Sequence, residues 1–260
     1  MVEQGGLVIR MSAETDIGKR PEQQDSVNAS LPYIQEDIGV LCALADGVGG
    51  LTNGKQASQA VVDTMVSVFH QSSIADTPEQ ILLRGCQMAQ AAVRDLQETP
   101  GECGSTLVAV IVRKGRCSFI SVGDSRIYLL RGGGLIQLTR DQNRGRRIDM
   151  QIGLERLPEE ARTDRKRAAL TAYMGMEELT RTDRGSSSFA VIPGDRIALM
   201  SDGVYGTLSE DEIAEILGME EEKIAVTMIE RTLGKGNPHQ DNCSVAVIDV
   251  SRRETDGGEG

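Results

Sequence analysis

Short, almost purely aliphatic runs recur along this chain, and several of them end at an Asp or a Gly. Residues 38–45 read IGVLCALA, residues 105–113 read STLVAVIVR and residues 243–250 read CSVAVIDV. Runs of this length, bounded by turn residues, are typical of buried β-strands. Trp is absent and aromatic residues make up only 3% of the 260 residues, so these strands must pack through aliphatic side chains.

Two pairs of amphipathic segments separate the strand-like runs. Residues 55–70 and 78–98 carry apolar residues at helical spacing. Residues 209–217 begin with a capping-box pattern, and residues 220–233 follow as another helix. We interpret residues 105–138 as an antiparallel meander, with further strands at 7–11, 187–192 and 196–201. Strands in blocks and helices in pairs favour an α+β layered domain, with helix pairs covering both faces of a strand sandwich.

The most polar stretches lie outside these elements. Residues 141–167, which we call the flap, are rich in Arg, and we interpret them as an irregular insertion with one short helix around residues 158–162. Residues 252–260 are polar and Gly-rich, which predicts a disordered tail. No linker divides the rest, so residues 1–251 are expected to form a single domain.

The charge and the cysteines restrict the partners and the compartment. The formal net charge of -11 disfavours nucleic-acid binding, because the phosphate backbone is itself negative. Five cysteines, an odd number without zinc-finger spacing, indicate reduced thiols and a cytoplasmic protein. The first residues do not have the composition of a signal peptide, and no apolar run is long enough to span a bilayer, so no membrane association is expected.

Acidic residues stand at the ends of the predicted strands. Asp46, Asp124 and Asp202 each follow an apolar run, Asp241 directly precedes the last run, and Asp25 lies in a polar segment before the second. A single Asp-Gly after a strand is usually only a turn. Because strand ends converge at the edge of a sheet, several such carboxylates could meet in one cleft. They would repel each other there unless cations compensated their charge.

The residue types at these positions predict which ions could bind. His70 and His239 are the only two histidines, so the candidate ligands are oxygen atoms, which select Mg²⁺ or Mn²⁺ over zinc. Two such ions can ionise a bridging water and clamp a phosphoryl group. Arg20, just upstream of Asp25, offers a planar fork of donors for phosphate oxygens.

Taken in order, these motifs resemble those of the metal-dependent protein phosphatases, the PPM or type 2C family. The resemblance covers residues from about 7 to 250, nearly the whole chain. The matching motifs are RPEQQDS at 20–26, DGVGG at 46–50, GST at 104–106, VGDSR at 122–126, LTRD at 138–141, SDGV at 201–204 and DN at 241–242.

The resemblance implies a four-layer α-β-β-α sandwich, in which two antiparallel sheets are flanked by helix pairs, and a site for two Mn²⁺ or Mg²⁺ ions. Asp46 resembles the carboxylate that bridges both ions, and the Gly47 carbonyl resembles a further ligand. Asp202 and Asp241 resemble ligands of the first ion. Asp25 resembles the acidic residue that holds metal-bound waters near the second ion.

The resemblance also implies the reaction and the partners. The family hydrolyses phosphoserine and phosphothreonine in proteins with a metal-activated water. Arg20 resembles its phosphate-binding arginine, and Asp124 matches a ligand of a third, weaker ion in bacterial relatives. Val48 stands where animal members have a His that is proposed to protonate the leaving group. By analogy, the chain would be a monomeric bacterial phosphatase opposing a serine/threonine kinase.

Three alternatives remain open at this point. The chain could be a catalytically inactive relative that binds phosphoproteins or a scaffold partner. It could be a phosphohydrolase of nucleotides or other small molecules. It could also be a structural domain that metal ions merely stabilise.

Overall fold

The computed structural model describes residues 2–4, 6–28, 38–48, 53–99, 102–179, 183–184, 188–220 and 223–252. In these ranges the strands are β1 Val2–Gln4, β2 Leu7–Asp16, β3 Asp25–Asn28, β4 Val40–Asp46, β5 Leu107–Arg113, β6 Arg116–Val122, β7 Arg126–Arg131, β8 Gly134–Gln137, β9 Asp183–Arg184, β10 Phe189–Ala190, β11 Arg196–Met200 and β12 Cys243–Arg252. The helices are α1 Gly54–His70, α2 Pro78–Asp95, α3 Arg144–Gly153, α4 Asp202–Tyr205, α5 Glu210–Leu217 and α6 Ile224–Gly234, with a 3-10 helix at Glu159–Thr163.

The strands form two antiparallel sheets. The first has the order β1-β2-β12-β11-β7-β8; the second has the order β10-β6-β5-β4-β3, and β9 also pairs with β6. One cluster of buried aliphatic side chains lies between the two sheets. A second joins α1 and α2 to the second sheet, and a third joins α4, α5 and α6 to the first. These clusters define the predicted four-layer α-β-β-α sandwich.

The aliphatic runs form central strands because both of their faces are covered. β4 and β5 are buried at six of seven positions each, which explains why their apolar residues do not alternate with polar ones.

Capping residues set the starts of two helices. Thr77 and Gln80 form a capping box at α2, and Ser209 and Glu212 form the predicted one at α5.

The predicted meander at residues 105–138 was wrong as a single unit. β5 and β6 belong to the second sheet, whereas β7 and β8 belong to the first. The chain crosses between sheets at Gly123, whose φ of +98° allows a sharp change of direction that other residues rarely adopt. This crossing places Asp124 at the end of both sheets.

The flap contains more regular structure than predicted. α3 was not expected, and it forms because Asn143 accepts a hydrogen bond from the Arg146 backbone N–H while Ile148 and Ile152 are buried. The 3-10 helix at Glu159–Thr163 lies close to the short helix expected around residues 158–162.

Other boundaries also differ from the predictions. The strand predicted at residues 187–192 is limited to β10, since the Asp195 carboxylate accepts the Ile192 N–H in a turn; residue 187 lies outside the described residues. β12 runs to Arg252, one residue into the predicted tail, and pairs there with Leu7. Residues 253–260 lie outside the described part of the chain.

Among the helices of the described residues, none is both long and apolar enough to cross a membrane.

Candidate metal centre

Five acidic residues from separate parts of the chain converge at one end of the two sheets. Asp25 in β3 lies directly opposite Asp46, the last residue of β4. Asp202 begins α4 two residues after the end of β11, Asp241 lies two residues before β12, and Asp124 occupies the crossing between the sheets. Asp46, Asp124, Asp202 and Asp241 line a common cavity of about 440 Å³. Asp25, only 6% exposed, lies behind them.

Close approach of backbone segments explains the glycine after two of these aspartates. A Cβ atom on Gly47 would lie 2.5 Å from the Gly54 carbonyl oxygen. A Cβ atom on Gly203 would lie 2.0 Å from the Asn242 carbonyl oxygen. Both distances are too short for any side chain, so glycine lets α1 pack against the end of β4 and lets α4 pack against the start of β12. Gly49 and Gly50 of the same motif lie outside the described residues.

The electrostatic environment of the cavity opposes full ionisation. Burial, and then the charges of Asp124, Asp241 and Asp25, raise the pKa of Asp202 to about 7. Burial likewise raises the pKa of Asp25 to about 6, against hydrogen bonds that favour its charged form. Burial and the surrounding carboxylates hold the pKa of Asp46 well above its usual range. Burial also raises the pKa of Asp124 to about 6.

One carboxylate oxygen at the centre has no partner. Ser201 Oγ donates to Asp25 Oδ2 at 2.8 Å, whereas the buried Asp25 Oδ1 accepts no hydrogen bond from the described residues. An unpaired buried oxygen costs free energy unless something binds it. An all-oxygen set of carboxylates with an unpaired member fits a hard divalent cation such as Mg²⁺ or Mn²⁺.

The carboxylates nevertheless do not form a complete set of metal ligands as they stand. Within the described ranges, no three acidic, His or Cys side chains form a group that could hold a metal ion as they stand. Arg20 contributes to this arrangement, because its Nη2 donates to Asp241 Oδ2 at 2.6 Å. The guanidinium therefore shares the cavity with the carboxylates and neutralises part of their charge.

Asn242 fixes the segment that carries Arg20, a role that the sequence did not reveal. Its Nδ2 donates to the carbonyl oxygens of Ile17 at 2.9 Å and Glu22 at 3.0 Å, and its Oδ1 accepts the Gln24 N–H at 2.8 Å. Asn242 itself is buried, whereas the segment that it holds is partly exposed. The only sequence signal was its place in the DN motif at 241–242.

Other unpredicted residues surround Asp124. Asn143 Nδ2 donates to Asp124 Oδ2 at 3.2 Å, and the Tyr205 hydroxyl donates to the Asp124 carbonyl oxygen at 2.8 Å. The Arg126 guanidinium lies 3.8 Å above the centre of the Tyr205 ring. The side chains that hold Asp124 thus come from the flap, from α4 and from β7, which are distant in sequence.

Comparisons with known proteins show the family to which this chain belongs. A profile of the family "Protein phosphatase 2C" matches residues 17–233. The serine/threonine protein phosphatase PstP of Mycobacterium tuberculosis is 34% identical over 251 residues, which cover 94% of this chain and 45% of PstP. The chain belongs to the protein phosphatase 2C family.

A further member of the protein phosphatase 2C family and the solved catalytic domain of PstP both match over most of their length. Protein phosphatase PhpP of Streptococcus pneumoniae is 26% identical over 95% of this chain and 100% of its own. The catalytic domain of PstP, solved in complex with two manganese ions, superposes with a TM-score of 0.73 at 30% identity, covering 94% of this chain and 99% of that domain. The α+β sandwich predicted from the resemblance is therefore confirmed as the fold of this family.

The extent of these matches differs between members of the protein phosphatase 2C family. The chain spans about half the length of the curated M. tuberculosis relatives that it matches.

Each of the predicted site residues lies in or beside the cavity: Arg20, Asp46, Gly47, Asp124, Asp202 and Asp241 line it, and Asp25 lies behind Asp46.

Proposed function

We propose that this chain hydrolyses phosphoserine and phosphothreonine in proteins and that it needs divalent metal ions, two Mn²⁺ or Mg²⁺, to do so. One observation carries the proposal: carboxylates from separate chain segments meet in one cavity with Arg20. Their raised pKa values mean that the charged cluster is unfavourable without compensating cations. Family membership and the two manganese ions of PstP support the same conclusion.

Each acidic residue has a proposed role in holding the ions. Asp46, opposite Asp25 and within the field of the other carboxylates, would bridge the two ions, with the Gly47 carbonyl as a further ligand. Asp202 and Asp241 would hold the first ion. Asp25 would hold water molecules near the second ion. Asp124, beside the flap, is proposed as a ligand of a third, weaker ion.

The ions, when bound, supply a Lewis acid that lowers the pKa of a water molecule and offsets charge on the phosphoryl oxygens. Arg20 would bind the phosphoryl oxygens with its planar fork, since its side chain is 49% exposed and lines the same cavity. Asn242 positions Arg20 by fixing the backbone on both sides of it. Val48 also lines the cavity and can neither donate nor accept a proton, so we assign no general acid to this chain.

We also propose the extent of the domain, the class of substrate, the oligomeric state and the compartment of the protein. Residues 1–251 would form a single catalytic domain, whose flap at residues 141–167 lies beside the cavity and contacts the substrate. The substrates would be proteins phosphorylated by a serine/threonine kinase, and the enzyme would be a monomer. The five cysteines are free and buried, which supports a reducing compartment such as the cytoplasm.

Steady-state hydrolysis of a phosphothreonine peptide, with Mn²⁺ or with EDTA, tests this function. We expect turnover only with Mn²⁺, and Asp46→Ala and Asp202→Ala should each lower kcat by at least about a hundredfold. Asp63→Ala, an exposed change on α1, is the matched control and should be as active as the wild type. Circular dichroism should show that all variants are folded.

The outcome also separates the alternatives. An inactive binding module would bind the phosphopeptide without turnover. A small-molecule phosphohydrolase would prefer nucleotides to the peptide by a large factor in kcat/KM. A domain that metal only stabilises would lose its thermal stability in EDTA, and Mn²⁺ would produce no hydrolysis. An Asp202→Ala enzyme with a normal rate would refute the metal assignment.

A further inference from the structure

A second cavity, of about 600 Å³, lies next to the cavity lined by Asp46, Asp124, Asp202 and Asp241, which the proposed function makes the catalytic cavity. The two cavities have opposite charge character. Its charged lining consists of four arginines and two aspartates: Arg126, Arg140, Arg146, Arg167, Asp141 and Asp149. Segment 140–167, which supplies most of this lining, has nine basic and six acidic residues in a chain of net charge -11. The lining of this cavity is therefore positive, although the chain as a whole is negative.

Both carboxylates of this cavity are already paired. Asp141 accepts two hydrogen bonds from Arg126, at 3.0 and 2.7 Å, in a bidentate pair. Asp149 accepts from Arg167 at 2.6 Å and from Arg162 at 2.7 Å. Four guanidinium groups against two carboxylates leave the lining with excess positive charge.

An unsatisfied donor lies in the same lining. Arg167 Nη1 is buried and has no hydrogen-bond acceptor among the described residues, although Nη2 of the same group is bound to Asp149. Buried donors without an acceptor are rare, because burial removes them from water without replacing its hydrogen bond. Arg146 of α3 also lines the cavity and is exposed. A ligand with oxyanion chemistry would contact Arg146 directly and would reach Arg167 Nη1 if that side chain moved.

The second cavity adjoins the catalytic cavity. Ala168 lines both. Asn143, which lines the second cavity, donates to Asp124 of the first at 3.2 Å. A peptide with its phosphoryl group in the catalytic cavity would therefore bring neighbouring side chains to the second one.

We propose that the second cavity binds another oxyanion of the substrate, a phosphoryl group or a carboxylate a few residues from the phosphate that is removed. The inference rests on the proposed function and specifies its substrate class: segments with a second acidic group close to the target phosphate. Arg146 provides the exposed positive charge of this subsite, and Arg167 provides the buried donor.

Peptide hydrolysis tests this subsite. The peptides carry phosphothreonine and, at each of positions one to four on either side, a phosphoserine, a Glu or an Ala. We expect kcat/KM to be about tenfold higher for at least one position of the second anion than for Ala, as for a charge-assisted contact. The phosphoserine and Glu series show which oxyanion is preferred.

Arg146→Gln should abolish this preference and leave hydrolysis of the Ala peptides unchanged. Arg147→Gln is the matched control, since Arg147 is the next residue of α3, is exposed and lines a different groove. The control should keep the preference. Equal kcat/KM for all wild-type peptides, or a preference that survives in Arg146→Gln, would overturn the inference.

The failure of the proposed function can be recognised separately. In that case no peptide, with or without a second anion, would be hydrolysed in the presence of Mn²⁺. Fluorescence anisotropy with the same labelled peptides then tests the subsite, because the second anion should still tighten binding to the wild type and not to Arg146→Gln.

Discussion

At the residue scale, Asn242 has the most specific positioning role among the side chains of the site. Asn242 uses its whole amide to hold three backbone groups on both sides of Arg20. Removing the amide leaves the carbonyl oxygens of Ile17 and Glu22 and the Gln24 N–H without these partly buried hydrogen bonds. The segment that carries Arg20 would then lose its fixed position.

We predict that Asn242→Ala lowers kcat/KM for a phosphopeptide by about tenfold to a hundredfold, because misplaced binding groups weaken transition-state contacts. We also expect a loss of about 2–3 kcal/mol in the free energy of unfolding, from the unpaired backbone groups. Urea denaturation and steady-state kinetics measure the two effects. Asn237→Ala, which removes one hydrogen bond in an exposed turn, should change neither by much. Full activity in Asn242→Ala would contradict this positioning role.

The sequence predicted the acidic residues of the site better than their supporting residues. Asp46 and Asp202 stand out because each follows a recognisable strand, and the ordered motifs gave roles to Arg20 and Asp25, which were already candidates. The contacts of Ser201, although it lies in the SDGV motif, and of Tyr205 could not be found this way, since each bonds to a residue more than eighty positions away. Such contacts exist only after the sheets have packed.

At the element scale, α3 connects the flap to the candidate site. Its N-cap residue, Asn143, also contacts Asp124 through Nδ2, so the start of the helix and the edge of the catalytic cavity are fixed together. This helix was not predicted because the large apolar residues of α3, Ile148, Met150 and Ile152, lie at every second position of a run otherwise rich in Arg. Alternate spacing does not have the period of a helix, so the run could not be distinguished from a polar loop.

We predict that Ile148→Asp opens the flap without unfolding the domain. A carboxylate at this buried position would lose its hydration, so α3 should separate from the residues beneath it. Ile148 belongs to none of the three core clusters, and the Tm should therefore fall by no more than about 4 °C, the change for about 1 kcal/mol in a protein of this size.

Limited digestion with trypsin measures this opening, because the flap contains many arginines. Ile148→Asp should be cleaved within residues 140–167 much faster than the wild type. Met150→Asp places the same charge at a position that is 49% exposed on the same helix, and it should resist digestion like the wild type. Equal digestion rates for both variants would show that α3 does not depend on this contact.

The change of sheet after β6 is another feature that local patterns could not predict. A glycine between two aliphatic runs is equally compatible with a hairpin and with a crossing. The choice depends on packing, because β7 pairs with β11 and the chain reaches that strand only seventy residues later. Strand identity was therefore predictable from residues 105–138, while strand partners were not.

At the scale of the whole molecule, the acidic cluster should make stability depend on pH and on metal together. The pKa values of Asp25 and Asp202 rise from 3.8 to about 6 and about 7 in the folded protein. A carboxyl whose pKa is raised by folding binds more protons in the folded state. Its contribution favours folding below about pH 4 and is lost as the pH rises through 6 to 7.

We therefore predict that, in EDTA, the Tm falls between pH 5 and pH 8, and that the increase in Tm on adding Mn²⁺ is larger at pH 8 than at pH 5. Each pKa unit corresponds to about 1.4 kcal/mol, or about 2–4 °C for a domain of this size. Differential scanning calorimetry measures both trends. Asp202→Asn, which removes one titrating group, should flatten the EDTA curve. A Tm in EDTA that rises from pH 5 to pH 8 would contradict the electrostatic account.

The convergence of acidic side chains on divalent cations is the central claim, and a Mn²⁺ titration of the purified protein by isothermal calorimetry tests it most directly. We predict at least two bound ions per chain for the wild type, with binding lost in the Asp46→Asn, Asp202→Asn double variant. Ion binding should release protons as the carboxylates become ligands. A wild-type protein that binds no Mn²⁺ at millimolar concentration, or a double variant that binds it equally well, would contradict the claim.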